Sequence, residues 1–548
     1  MDKMSPFAET IYLQKYAKEK DDGTKECWEE TAERVAKNVL KAVNAKKTLI
    51  KDVERIIASK KFFPGGRYLY AAGKQYHQVN NCLLLKAKDS REGWAEILHN
   101  ASMALMTGAG IGIDYSDIRA EGKLIRKTGG QSTGPLALMQ MVNDCGRGIM
   151  QGGARRSAIW AGLNWNHADI MKFIVQKNWS KEIIELKTKD FNFPAPLDGT
   201  NISVQLDDLF FKAYHDEEHV LHSHAHSIYW SVIRSMLQNG EPGFSVDLGE
   251  NKKETLRNAC TEVSSEDDSD ICNLGSINLA RIENEEDMKE VVKLATAFLL
   301  AGTVYSDVPY SKVDQIRTKN RRLGLGLMGI HEWLLKRNKK YGPDAELEEY
   351  LKIYQNNLEY ANSYCEEWDL SKPIKGRAIA PNGTIGIIAE TTTGIEPVFC
   401  VAYKRRYLKG SVWNYQYVID KTAQRLIDQG ANPNNIEDAY TLSYEVERRV
   451  EFQAWVQQFV DHSISSTINL PHWGSEANNE NKVQSFGDML IKYLPQLRGI
   501  TAFPDGGRGA NQPLNPISYK TAQTHVGEIF VENGIDICEL TKGGTCGN

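Results

Sequence analysis

The 548-residue sequence has no apolar run of about 18 residues, so nothing in it reads as a membrane-spanning helix. Its opening stretch, MDKMSPFAETIYLQKYAKEK, lacks the apolar core of a signal peptide. Both absences point to a cytoplasmic protein. There is no basic stripe either. Net charge is −5, with 66 Lys and Arg interspersed among 71 Asp and Glu, which argues against a nucleic-acid partner. No internal repeat and no low-complexity linker divides the chain. Cysteine is sparse and odd in number, nine in all. In a reducing compartment these are catalytic, metal-binding or simply reduced thiols, not a disulfide framework.

What is present is an ordinary soluble composition, 41% hydrophobic and 25% charged. Up to about Lys60 the pattern is helical, with CWEETAERVAKNVLKAV placing apolar residues at helical spacing. NNCLLLKA has strand character, and GWAEILHNASMALMTG is a helix ending in glycine. AGIGIDYSDIRAEGKLIRKTGGQSTGP is Gly-rich and reads as irregular. Helices and short strands then alternate to about Pro504, which favours an α/β fold. The sequence after Gly506 reads as a loose, mobile tail.

Five stretches could carry chemistry. GLGLMG (Gly324 to Gly329) matches a dinucleotide fingerprint, but the preceding TKNRR does not suit a buried strand, so close helix packing over glycines is favoured. HDEEHVLHSHAH carries His215, His219, His222, His224 and His226; with no cysteine nearby it reads as an exposed, solvated connection, and no metal site is expected. PNGTIG (Pro381 to Gly386), at a helix start, suits a phosphate or an ordinary turn. GGARRSA couples glycines to two arginines and suits an anion or a surface loop. In NACTE, Asn258, Cys260 and Glu262 are spaced by two, so an extended backbone would aim all three at one pocket. A thiol, an amide and a carboxylate together serve nucleophilic, radical or acid–base chemistry.

Taken in chain order, NNC, GEPGF, NACTE, ICNLGSINL, NRRLGLGLMG and APNGTIG resemble blocks of ribonucleotide reductase catalytic subunits, from about Phe62 to Pro513. The resemblance implies a ten-stranded α/β barrel with a central finger loop. It divides the chain into a helical region (1–60), the barrel (61–513) and a mobile redox tail (514–548). It makes Cys260 the radical carrier, with Asn258 and Glu262 holding and deprotonating the ribose. Cys82 and Cys272 become the reducing pair, and the acidic SSEDDSD a solvated connector. Cys538 and Cys546 correspond to the shuttle pair, although ELTKGGT separates them more widely than is usual for the family. Gly65, Gly66, Asn81, Ala109, Gly110 and the run Pro381, Asn382, Gly383, Thr384 and Ile385 would bind substrate. Asp89, Ser90, Arg119, Gln151 and Arg155 would bind a dNTP or ATP effector.

The same resemblance implies a ribonucleoside di- or triphosphate substrate, a thioredoxin- or glutaredoxin-like reductant and a homodimer. No ATP-cone segment precedes MSPFAETIYLQKYA. The adjacent tyrosines that carry a radical from a separate metal subunit are missing. Phe503 and Pro504 occupy their place in RGITAFPDGGRG, and no Tyr-Tyr pair occurs anywhere. The implied radical source is therefore adenosylcobalamin. The alternatives are a catalytic subunit that needs a metal-containing radical subunit, a nicotinamide oxidoreductase using GLGLMG, and a non-enzymatic nucleotide-binding protein.

Overall fold

The computed structural model describes residues 3–126, 129–151, 155–190, 193–409, 412–506, 514–525 and 528–530. Ten strands form the main sheet. They are β1 (Phe62–Pro64), β2 (Cys82–Lys86), β3 (Gly110–Asp114), β4 (Ile159–Asn164), β5 (Thr200–Asp207), β6 (Gly243–Asp247), β7 (Asp270–Asn278), β8 (Leu323–Met328), β9 (Thr467–Leu470) and β10 (Gly499–Pro504). Pairing runs β7–β2–β3–β4–β5–β6–β10–β9, with β8 and β1 both joined to β7. β2 to β6 are mutually parallel, as are β7 with β8 and β9 with β10. The two blocks meet antiparallel at β7–β2 and at β6–β10.

The ring closes through residues 375–379. Parallel bridges join Leu325 to Arg377 and Ile379 to Ile464, just ahead of β9. Backbone bonds from Leu325 N to Gly376 O (3.0 Å) and from Ser465 N to Ile379 O (2.9 Å) continue the ladder. This is the expected α/β barrel.

Strand sequences explain which way each strand faces. In β8 the leucines Leu323, Leu325 and Leu327 pack outward into a helical core, while Gly324 and Gly326 take the alternate, inward positions. A Cβ on Gly324 would lie 3.1 Å from the Cys272 sulfur, and one on Gly326 2.6 Å from Ala378 O. GLGLMG is thus itself a buried strand, and its glycines make room inside the barrel, not under a helix. Likewise AGIGID is not irregular: Ile111 and Ile113 of β3 face outward, and Gly110 and Gly112 face in.

Outside the ring, helix Trp28–Lys41 buries Ala32, Val35, Ala36 and Val39 against helix Glu285–Tyr305, which is buried on nearly every side. The histidine-rich stretch is not a solvated loop from His222 onward, because His222–Asn239 is a helix. The His222 and His226 rings bond Ala213 O and Tyr214 O (both 3.0 Å), satisfying carbonyls at the end of helix Asp208–His215. Part of the expected tail is also ordered. Leu514–Pro516 and Ile529–Phe530 flank the long hairpin Ala402–Lys409/Val412–Ile419 in a four-stranded sheet. No helix among the described residues is long and apolar enough to cross a membrane.

Candidate active site

A hairpin enters the barrel, with Leu256–Arg257 paired antiparallel to Ser264–Ser265. Glycine makes its entry possible, since a Cβ on Gly112 would sit 1.8 Å from Arg257 O, and one on Gly110 3.0 Å from the Ala259 methyl. Leu256 and Val263 pack with Cys82, Leu84, Cys272, Leu274, Ala378 and Ala380 in a small internal cluster. The tip is not extended, contrary to the spacing argument. Thr261 N bonds Asn258 O (3.1 Å), and Thr261 has a left-handed φ of 66°. The turn separates the three side chains: Asn258 and Glu262 are buried, while the Cys260 thiol is exposed at the tip.

The two buried groups converge on Cys82. Asn258 Nδ2 donates to Cys82 Sγ (3.0 Å), and Asn258 Oδ1 accepts from Val263 N (3.0 Å). The Cys82 thiol in turn donates to Glu262 Oε1 (3.8 Å). Cys82 lies directly opposite Cys272 in the β2–β7 register, and both are reduced. Facing residues of an antiparallel pair have Cβ atoms about 4.5–5.5 Å apart, so a small shift suffices for a disulfide.

Burial pushes both thiols well above the ordinary cysteine value; for Cys82 the Glu262 charge adds to this, and for Cys272 the Asp270 charge. They are therefore proton donors, not thiolates. Burial also raises Glu262, opposed by the bonds from Asn258 and Cys82. Glu262 Oε2 is buried and finds no hydrogen-bond partner among the described residues. Asn81 Oδ1 and Asn382 Nδ2 are in the same position.

The model of the ribonucleotide reductase barrel domain matches residues 80–224, 220–363 and 376–493. The chain belongs to the ribonucleotide reductase family. The model of that family's all-alpha domain matches residues 2–77. The chain is 27% identical to a vitamin B12-dependent ribonucleoside-diphosphate reductase of Thermoplasma acidophilum, over 92% of this chain and 71% of that protein. It is 24% identical to the protein of the same name from Mycobacterium tuberculosis, over 84% and 72%. It is also 24% identical to a putative adenosylcobalamin-dependent ribonucleoside-triphosphate reductase of Mycobacterium phage D29, over 94% and 90%.

Other expected residues of this reductase-family chain lie on the strands and turns next to Cys82 and Cys272 or farther away. Gly65 closes onto β7, with its N–H on Leu274 O (2.8 Å) and its Cβ position 3.1 Å from Asn81 Oδ1. Gly66 abuts the Tyr16 hydroxyl, and Gly110 N bonds Asn81 O (2.9 Å), next to Ala109. Asn382, at a left-handed φ of 55°, accepts from Ser276 Oγ (3.1 Å) and starts helix Gly383–Ala389, which holds Thr384 and Ile385 after Pro381. Farther off, Arg119 Nε pairs with Asp89 Oδ2 (2.8 Å), and Ser90 caps helix Arg91–Thr107. Gln151 and Arg155 oppose each other in a two-strand ribbon. Cys538 and Cys546 lie outside the described residues.

SSEDDSD is not a solvated connector. Ser264, Ser265, Ser269 and Asp270 are buried, and Asp270 pairs with Arg322 (2.7 Å). That arginine comes from the TKNRR stretch. Sequence reasoning missed this buried charge cluster because charged residues ordinarily read as surface. The available signal was the coincidence of an acidic run and a basic run, each directly bordering an apolar strand.

Proposed function

We propose that the chain reduces ribonucleotides to 2'-deoxyribonucleotides by thiyl-radical chemistry, with adenosylcobalamin as the radical source. The observation that carries this reading is the buried Glu262 Oε2, which has no hydrogen-bond partner among the described residues, on a carboxyl that receives the Cys82 thiol opposite Cys272. A ribose hydroxyl supplies the donor that this oxygen lacks.

The residues present fit the cofactor. Cys260 is the exposed thiol of the three, so a bulky group can reach it. Phe503 and Pro504 in β10 have no phenol to relay a radical from another subunit. When bound, adenosylcobalamin would supply the radical that takes the Cys260 thiol hydrogen. The Cys260 thiyl then removes the ribose 3'-hydrogen, and Glu262 accepts the 3'-hydroxyl proton. A thiol of the Cys82–Cys272 pair protonates the departing 2'-hydroxyl, which leaves as water. The other thiol of the pair gives its hydrogen to C2', and the two sulfurs close as a disulfide and pass the remaining electron to the 3'-ketone. Glu262 returns the proton to the 3'-oxygen, and Cys260 returns its hydrogen atom to C3', which regenerates the thiyl. The exposed Cys260 would be covered by the bound cofactor and substrate, which keeps its radical from bulk solvent.

The substrate's phosphates would sit against residues 381–385, with Gly65, Gly66, Asn81, Ala109 and Gly110 around the ribose and base. Cys538 and Cys546 would pass electrons from a thioredoxin- or glutaredoxin-like protein by thiol exchange. Three working thiols require a reducing compartment, hence the cytoplasm. Asp89, Ser90 and Arg119, with Gln151 and Arg155, would hold a nucleotide effector at a homodimer interface. The exposed Met106 and Met141, on helices Arg91–Thr107 and Gly134–Gly148, support that interface.

The test is an assay of the purified chain with adenosylcobalamin, ribonucleoside di- and triphosphates, dNTP effectors and dithiothreitol, with no second protein. Deoxynucleotide is expected from the parent and none from Cys260→Ala. Product that forms only after adding a metal-containing subunit would overturn the cofactor. Turnover by the alanine variant would overturn the radical carrier.

A further inference from the structure

Beneath the finger loop lies a charge cluster that none of the steps above uses. Its cations are Arg257, Arg322, Lys375 and Arg498, and its anions are Asp247, Glu254 and Asp270. The arrangement clamps both arms of the hairpin. On the entering arm, Glu254 Oε1 receives Arg322 Nη1 (3.0 Å), and Glu254 Oε2 receives Lys375 Nζ. Glu254 Oε2 also accepts from Ser264 Oγ on the returning arm (2.9 Å). Arg322 Nε reaches past to Asp270 Oδ2 (2.7 Å), which also accepts from Ser265 Oγ (2.7 Å). Arg257 is held by Asp247 (2.5 Å), and Ser264 N donates to the His462 ring (3.2 Å).

The geometry points to Glu254, Arg322 and Lys375 as positioning residues that hold the Cys260 loop in register with Cys82 and Glu262. This rests on the reductase reading above. A buried ion network of this kind adds little net stability over apolar packing. It does define one geometry, which a loop delivering a radical to a fixed carbon requires. Lys375 is the adjustable member. Burial, then Arg498, lowers it to about 8 against the pull of Glu254. Arg322 faces it as well, Asp461 bonds the neighbouring Gly376 N–H (3.0 Å), and His462 stays neutral beside the cations. Below about pH 8 the lysine is charged and completes the clamp; above it, Glu254 loses that partner.

Lys375 sits at the edge of the cluster, so Lys375→Met leaves Glu254 with Arg322 and Ser264 and should fold. Hydrogen exchange on the whole chain reads the loop whether or not the chain reduces ribonucleotides. Lys375→Met should speed exchange across residues 256–265 at least tenfold and leave β3 and β4 unchanged. Lys375→Arg, which cannot lose its charge, should restore protection. In the turnover assay, Lys375→Met should lower kcat at least tenfold with KM within twofold. Lys375→Arg should keep kcat and move the alkaline loss of activity upward by more than one pH unit. Unchanged exchange in Lys375→Met, a uniform rise across the barrel, or no rescue by arginine would each overturn the positioning role. A parent without reductase activity would overturn the reading of function, while the exchange result would still decide the clamp.

Discussion

Glu262 illustrates how burial sets a working range. Taken out of water, its carboxyl titrates above the ordinary glutamate value. In the proposed role of base it must be ionised, so activity should fall on acidification with a midpoint above that ordinary value. Glu262→Gln keeps the shape and the contacts with Asn258 and Cys82 but cannot take a proton. A loss of about 10²- to 10⁴-fold in kcat is expected, together with disappearance of the acid limb. Stability should respond in the opposite sense. The folded carboxyl binds its proton more tightly than the unfolded one, so its contribution is full below the unfolded pKa and lost as pH rises through the folded pKa. At neutral pH the glutamine variant should therefore melt no lower than the parent. A lower melting temperature, or an acid limb that persists in the variant, would show that Glu262 is not the titrating base.

At the scale of elements, the β2–β7 register makes Cys82 and Cys272 a pair although 189 intervening residues separate them in the sequence. A single turnover by pre-reduced enzyme, without external thiol, should consume two thiols, and peptide mapping should join these two cysteines. Cys82→Ser and Cys272→Ser should each block normal product formation, because neither serine can close the disulfide. A map that joins Cys272 to Cys260 instead would refute the pairing. Much of this was legible in the sequence. NNCLLLKA is an apolar run with strand character, ICNLGSINL resembles a family block, and N-A-C-T-E carries the right residue types. The turn at Thr261 was not legible, because spacing by two implies one face only where the backbone is extended. Nor was β8: glycines alternating with leucines behind TKNRR read as close helix packing until the hairpin that needs the space is known. The ordered stretch after Leu514 was hidden because its partner strand, Ala402–Lys409, lies a hundred residues earlier.

At the scale of the molecule, Asp89 and Arg119 form a half-exposed ion pair beside two helices that carry exposed methionines. A carboxylate suits ribose hydroxyls and a guanidinium suits phosphate, and an incoming nucleotide would exchange their mutual contact for its own. Exposed pairs of this kind contribute only about 0–1 kcal/mol, so parting them costs little. Asp89→Ala should weaken an effector's control over which base is reduced while unstimulated turnover survives. Unchanged substrate preference across dNTP effectors would remove the assignment.

The barrel's closing seam has a further consequence for how the protein is made. The hairpin and the Cys82–Cys272 pair are complete once residue 278 has been synthesised. The walls that close the ring, residues 375–379, β9 and β10, come roughly 100 to 230 residues later. At roughly 5–20 residues per second, a nascent chain carries its thiols unroofed for many seconds. Through that interval the fold does not shelter the pair, so whether an early disulfide forms depends on the redox conditions around the nascent chain, and an oxidant present during synthesis would reach these thiols before the barrel is finished.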